Sequence, residues 1–354
     1  MIPGTEIMNI LLATEEITAK PDKGLLVFVM HLARHLDRLA DLTVVYADGS
    51  PEEGLKARKI LSNKGLVTLD LIRLSRMESF DMLLYVPSSS FNTLALLRAM
   101  SLKALVKAPM IVVAMQHRSI GKAHSLVSRM RTPELVLTPV AELSLGLEGL
   151  GQRTGFIIPG FDERAFKPVT SDVKAALRHK YGLPQDQFVV LHVGHIKENH
   201  NMQVFLKHRE WGRDIVPVVK GGDVEGSWLH RLQMAGVIVF DEYLDKMHEL
   251  YQAADCYLFP VSNPYGALEF PLSVVEASAC NLPVIATPFG ALPEIIREGD
   301  GFYYIRSFSE IPQRISSIRS GITNTSDKVA ELSWNSVFAR YLEPHIRRLA
   351  QKGP

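Results

Sequence analysis

The chain has 354 residues, of which 47% are hydrophobic and 22% charged, and a formal net charge of +1. That length suits two domains of roughly 150–180 residues each better than a single core. The balanced charge argues against a global attraction to nucleic acid, and two cysteines are too few for a disulfide framework. No apolar run approaches the ~20 residues that a membrane span requires.

In chain order, the first signal is the apolar run 7–13. It is too short and too poor in basic flanks for a signal peptide, and it reads as a strand. Residues 25–39 repeat apolar side chains at helical spacing and lead into a strand at 42–46. Strands follow at 81–86 and 110–114, with a helix at 94–106 between them. These strands are apolar on both faces, as a sheet covered on two sides demands.

A second series begins near Pro168. Ser171 and Asp172 are N-cap candidates for a helix that stops at Gly182. Strands are read at 188–194, 216–219, 237–240, 256–259 and 283–286, with helices at 247–254 and 272–280. The 301–304 segment reads as a closing strand, and 328–351 as one long terminal helix. Alternating strands and helices in both halves predict two Rossmann-like, doubly wound α/β domains. Cys256 and Cys280 lie among apolar neighbours and read as buried free thiols of a reducing compartment, so a cytoplasmic protein is expected.

Charge is unevenly placed. No acidic residue lies between Asp81 and Glu134, whereas Arg98, Lys103, Lys107, Arg118, Lys122, Arg129 and Arg131 all do. One reading of this 98–131 region is peripheral contact with anionic headgroups or phosphorylated acceptors. The other is a solvated basic face balanced by acids from elsewhere in the fold.

Two stretches carry chemistry. In 267–277, Pro271 suits the first position of a helix, which would leave the amides of Leu272 and Ser273 exposed as an anion site. A diphosphate or a nearby carboxylate fits there. Glu276, one turn in, can accept from a ribose diol, and Glu269 precedes the helix where it can face a sugar; either is equally a surface carboxylate at a helix start. The second stretch is 194–201. Gly194 ends a strand and permits close backbone approach, while His195, Lys197 and His200 can present positive charge to a phosphate.

The segment 272–293 (LSVVEASACNLPVIATPFGALP) is similar to the donor-binding segment of the retaining glycosyltransferases group 1, a large GT-B family. Residues 160–168 (GFDERAFKP) resemble that family's interdomain signature, and 251–260 (YQAADCYLFP) the stretch before its donor loop. The resemblance covers 156–305 well and the N-terminal half more loosely. It implies two Rossmann-like domains facing a central cleft: 1–165 for the acceptor, 166–327 for the nucleotide-sugar, and a 328–354 segment packing back on the first.

The resemblance also implies roles. Glu276 matches the glutamate that holds the ribose, Leu272 and Ser273 the amides at the diphosphate, and Gly24 a glycine approaching the donor phosphates. His117 resembles a histidine near the transferred sugar. The implied reaction moves a hexose to a hydroxyl acceptor (glycan, lipid-linked or small molecule) with retention, using no metal and no cofactor.

Three departures stand out. Glu269 and Glu276 have six residues between them where the family has seven, so Leu268 occupies the first aligned position. His195 and His200 replace the usual arginine and lysine, and neutral imidazole is the poorer phosphate partner unless bound phosphate raises its pKa. Lys23–Gly24 stands where two glycines are frequent. A GT-B scaffold that binds nucleotide or glycan without turnover is therefore the alternative. An epimerase on the same architecture would need a clustering of carboxylates and histidines that the sequence lacks. Lesser signals are His31 and His35, four apart and read as a solvated helix face, and the strand-end Lys220–Asp223 stretch, read as a cleft lining or an ordinary turn.

Overall fold

The computed structural model describes residues 8–62, 67–87, 92–116, 133–140, 147–148 and 152–351. The chain forms two compact units, Met1–Ile158 with Asn335–Pro354, and Pro159–Trp334.

The first unit is built on β1 (Asn9–Thr18), β2 (Asp41–Ser50), β3 (Ala57–Lys59), β4 (Met82–Val86), β5 (Met110–Val113), β6 (Leu135–Thr138) and β7 (Thr154–Phe156). All pairings among them are parallel, in the order β3-β2-β1-β4-β5-β6-β7. Every residue of β4, β5 and β6 is buried, because helices cover both faces. Helix α1 (Gly24–Leu39) turns Leu26, Val29, Met30, Ala33 and Leu36 inward. Thr68 caps α2 (Leu69–Met77) and Asn92 caps α3 (Thr93–Val106), each accepting from a first-turn amide.

The second unit repeats the plan. Its helices are α4 (Ser171–Lys180), α5 (Gly226–Met234), α6 (Met247–Ala253), α7 (Leu272–Ala279) and α8 (Ile311–Ser320). Its strands are β8 (Phe188–Ile196), β9 (Ile215–Val224), β10 (Ile238–Phe240), β11 (Cys256–Phe259), β12 (Val284–Ala286) and β13 (Phe302–Tyr304), parallel in the order β10-β9-β8-β11-β12-β13. Val190, Ile196, Ile215, Val219, Cys256, Leu258 and Ile285 form the sheet's share of one core cluster, which also holds Phe205, Trp228 and Ile315. Both cysteines are free and buried. Among the described residues no helix is long and apolar enough to cross a membrane.

Three details correct the sequence reading. The cap of α4 is Thr170, with Ser171 already helical. The expected terminal helix is two helices, Trp334–Tyr341 and Glu343–Ala350, interrupted at Leu342. Pro344 has no N–H to continue the ladder, so a new helix starts there. His35 is buried rather than solvated: its Nε2 lies 3.3 Å from Glu343 Oε1, and its ring meets Phe338 at 4.9 Å. Phe28 packs edge-on against Phe338 at 5.8 Å, so the two terminal helices cover α1.

Candidate functional site

In each sheet the strand order reverses direction beside its first strand, between β1 and β4 in one unit and between β8 and β11 in the other. Open parallel sheets bind ligands at the carboxyl ends of the strands flanking that point. The sequence candidates of the second unit collect there.

Helix α7 follows β11 and opens at Pro271, whose φ of −67° and ψ of 120° make it the N-cap and not the first helical residue. A boundary shift of one residue leaves the argument intact, because no side chain caps the helix. Val274 N–H bonds to Pro271 O, at 3.1 Å. The amides of Leu272 and Ser273 come before it, at the positive end of the helix dipole. Glu276 lies one turn deeper and half-buried, and accepts a 2.9 Å bond from Tyr251 Oη on Oε2. Burial pushes its carboxyl up to about 8, opposed by the Tyr251 bond.

Tyr257 ties the two sides of this corner together. Its hydroxyl donates to Val193 O at 3.1 Å, at the end of β8, and also bonds the Ser273 side chain on α7. Neither tyrosine was singled out from sequence. Their signal was position alone, Tyr251 on the helix before β11 and Tyr257 within it.

At the end of β8, the rings of His195 and His200 meet edge to face with centroids 5.3 Å apart. His192 is fully buried beneath them, its Nδ1–H donating to Leu258 O at 3.0 Å. A Cβ on Gly194 would stand 2.9 Å from His192 Nε2, so the glycine makes room for a protein ring as well as for any ligand. Burial lowers His192 to about 4 and His200 to about 3; the neighbouring histidines and Lys197 press His200 the same way, and Asp223 opposes them. Lys197 pairs with Asp223 at 2.5 Å, so the intended phosphate cation already has a counter-ion. Lys220, in the strand-end stretch read as a cleft lining or a turn, is buried within β9, and its ammonium bonds Gly221 O.

Glu269 is buried just before α7. Its backbone carbonyl accepts from Ala291 N–H at 2.7 Å and abuts Gly290, whose φ is +51°. In the first unit, Gly24 is the first residue of α1, which has no side-chain cap. His117 lies outside the described residues, as do Arg118, Lys122, Arg129 and Arg131.

The basic stretch is only partly an exposed face. Arg98 is buried with its guanidinium on Glu15, which also accepts from Tyr85 Oη, and Lys103 bonds Glu134 at 2.5 Å. The acids come from β1 and from the approach to β6, beyond the window in which acids were counted. The Glu15–Tyr85–Arg98 cluster lies at the β1/β4 turning point and escaped the sequence reading, although a carboxylate closing the apolar run 10–13 was its visible sign.

Two parallel-sheet Rossmann-like units of this kind define the GT-B class of glycosyltransferase folds. Residues 187–318 match the model of the family described as Glycosyl transferases group 1. A D-inositol 3-phosphate glycosyltransferase of Streptomyces bingchenggensis is 33% identical over 162 residues, 40% of this chain and 34% of that protein. The chain spans about a third to a half of the length of the curated relatives matched first. Among solved structures, Anabaena HepE in complex with UDP superposes with a TM-score of 0.71 at 16% identity, over 98% of both chains. It has also been captured with UDP-glucose. Sucrose-phosphate synthase from Thermosynechococcus elongatus gives a TM-score of 0.74 at 14% identity, over 98% of this chain and 100% of that one.

Proposed function

We propose that the protein is a retaining, metal-independent glycosyltransferase that moves a hexose from a nucleotide-diphosphate sugar to a hydroxyl acceptor. The observation that carries this reading is the α7 corner of the second unit. An uncapped helix N-terminus offers two amides to a diphosphate, and a half-buried carboxylate waits one turn deeper for a ribose. The names of the relatives support it: a glycosyltransferase acting on D-inositol 3-phosphate, and a fold neighbour that holds UDP-glucose.

In this mechanism Glu276 accepts from the ribose diol, and Glu269 orients the sugar. The Leu272 and Ser273 amides, with Gly194, His195, Lys197 and His200, hold the diphosphate and meet the charge that grows on it as the glycosidic bond breaks. His117 contacts the sugar, and Gly24 approaches the donor phosphates. The acceptor oxygen enters on the face from which the diphosphate departs, so configuration is retained. The first unit binds the acceptor.

A second reading, a scaffold that binds without turnover, is favoured by one observation: Lys197 is already neutralised by Asp223. A thermal-shift screen of UDP-, GDP- and ADP-sugars tests the site. A ligand at about 100 times its Kd adds roughly 2.7 kcal/mol of stability. One of the three should raise the melting temperature, and Glu276→Ala should abolish that rise. An unchanged rise would mean that the ribose lies elsewhere, and no rise with any donor would sink the reading. Binding without nucleoside diphosphate release across an acceptor panel would select the scaffold.

A further inference from the structure

The histidine corner at the end of β8 is built unlike a fixed-charge phosphate site. His200 is only 3% exposed, and its Nδ1 has no hydrogen-bond partner among the described residues. Buried ring nitrogens normally find partners, so one left open at a ligand-binding strand end points to a missing ligand. The loop carrying Gly266 closes over the other nitrogen: a Cβ on Gly266 would stand 3.6 Å from His200 Nε2 and 2.6 Å from Val261 Cγ1. Asn201 pins the same loop by donating to Pro260 O and Ser262 Oγ, both at 2.8 Å. Through Tyr257, the strand end just before Gly194 is fastened to the first turn of α7.

We infer that the His195–His200 pair is a proton-loaded diphosphate site, one that takes up a proton together with the ligand. The inference rests on the diphosphate reading above. Two negative charges brought to an edge-to-face imidazole pair favour its protonated form, and the added proton lets a ring nitrogen donate to a phosphoryl oxygen.

The groups facing His200 are consistent with this. His192 and His195 come from β8, Lys197 from the turn that follows, and Asp223 from β9. Tyr265 is the sole titratable residue of the 261–266 loop, and Glu198 in the turn is exposed. The lysine and the aspartate pair with each other, so together they bring no net charge to the rings. Before the ligand arrives, burial keeps His200 uncharged throughout the neutral range.

The test is calorimetric titration of the full chain with UDP-glucose, GDP-glucose and ADP-glucose near pH 7, in buffers of different ionisation enthalpy. The diester diphosphate of a nucleotide-sugar stays fully ionised there, so any proton taken up is the protein's. The expected result is uptake of about one proton per donor bound, with affinity falling as much as tenfold per pH unit between about pH 6 and pH 8. His200→Gln and His195→Gln should bring the uptake close to zero, as should His195→Arg, which supplies a permanent charge and should bind more tightly than wild type near pH 8. His195 is the half-buried member, so its variants keep the test available if His200→Gln does not fold. Binding with no proton uptake, or uptake untouched by both Gln variants, would overturn the inference and leave the proposed function standing. Failure of all three donors to bind would instead overturn the function.

Discussion

Glu276→Gln separates the chemical role of this carboxylate from its structural cost. A carboxyl moved from 4.5 to about 8 on folding is most favourable while protonated. Its contribution is complete below the unfolded value and is lost as pH climbs through the folded one. At 1.36 kcal/mol per pH unit, that displacement corresponds to a ceiling of roughly 4–5 kcal/mol. Partial access of water reduces it, so about 2–3 kcal/mol is expected. Near pH 4 the variant and the wild type should unfold at nearly the same temperature, because glutamine mimics the neutral acid. Near pH 8.5 the variant should melt about 4–12 °C higher, taking ~2–4 °C per kcal/mol for a domain of this size. The assay is calorimetric or fluorescence melting of both proteins across that range. A difference independent of pH would refute the argument, since the gain would then owe nothing to an ionised carboxylate at this site.

Three further expectations follow from contacts within the two units. Gly290→Ala puts a Cβ 2.1 Å from Glu269 O in a left-handed backbone, so a loss of more than about 2 kcal/mol should appear in urea melts; a neutral result would show that the 289–291 turn relaxes freely. Tyr257→Phe unlinks Val193 O from Ser273 and should weaken nucleotide-sugar binding about three- to tenfold, with about 1 kcal/mol lost from stability; titration of the variant against unchanged affinity decides it. Glu15→Gln leaves the buried Arg98 without its carboxylate and should destabilise the chain by roughly 3–5 kcal/mol in denaturant unfolding. A loss below about 1 kcal/mol would mean that the guanidinium escapes to solvent.

The fold was legible because a parallel sheet covered on both faces leaves a strong trace. β4 and β11 are continuous apolar runs, and α1 shows its inward stripe at helical spacing. Several of the elements that escaped have weak traces, although β6, fully buried, and the helices α5 and α8 escaped as well. β3 and β7 are three residues each with none fully buried, and α2 buries only Leu71 and Leu74. The second unit's candidate site was legible as an address, since Gly194, His195 and the opening of α7 fall at strand ends. Its state of charge was not. Nothing in the order of residues announces that Lys197 will be claimed by Asp223, 26 positions away, or that His200 will be buried to 3%. Pairing and burial are set by tertiary packing, and local spacing does not encode them.

Residues 159–334 form a unit whose two ends meet. Phe161 N–H bonds Leu332 O at 3.0 Å, and Trp334 N–H bonds Phe161 O at 3.1 Å. The first unit is thereby split along the chain: the helix that begins it, α1, waits for Phe338 and Glu343 to cover Phe28 and His35. During synthesis residues 159–334 emerge as one stretch and can fold at once, while the first unit stays unfinished until Phe338 and Glu343 have emerged. A chain cut before Phe338 would leave α1 with a bare apolar flank and should aggregate.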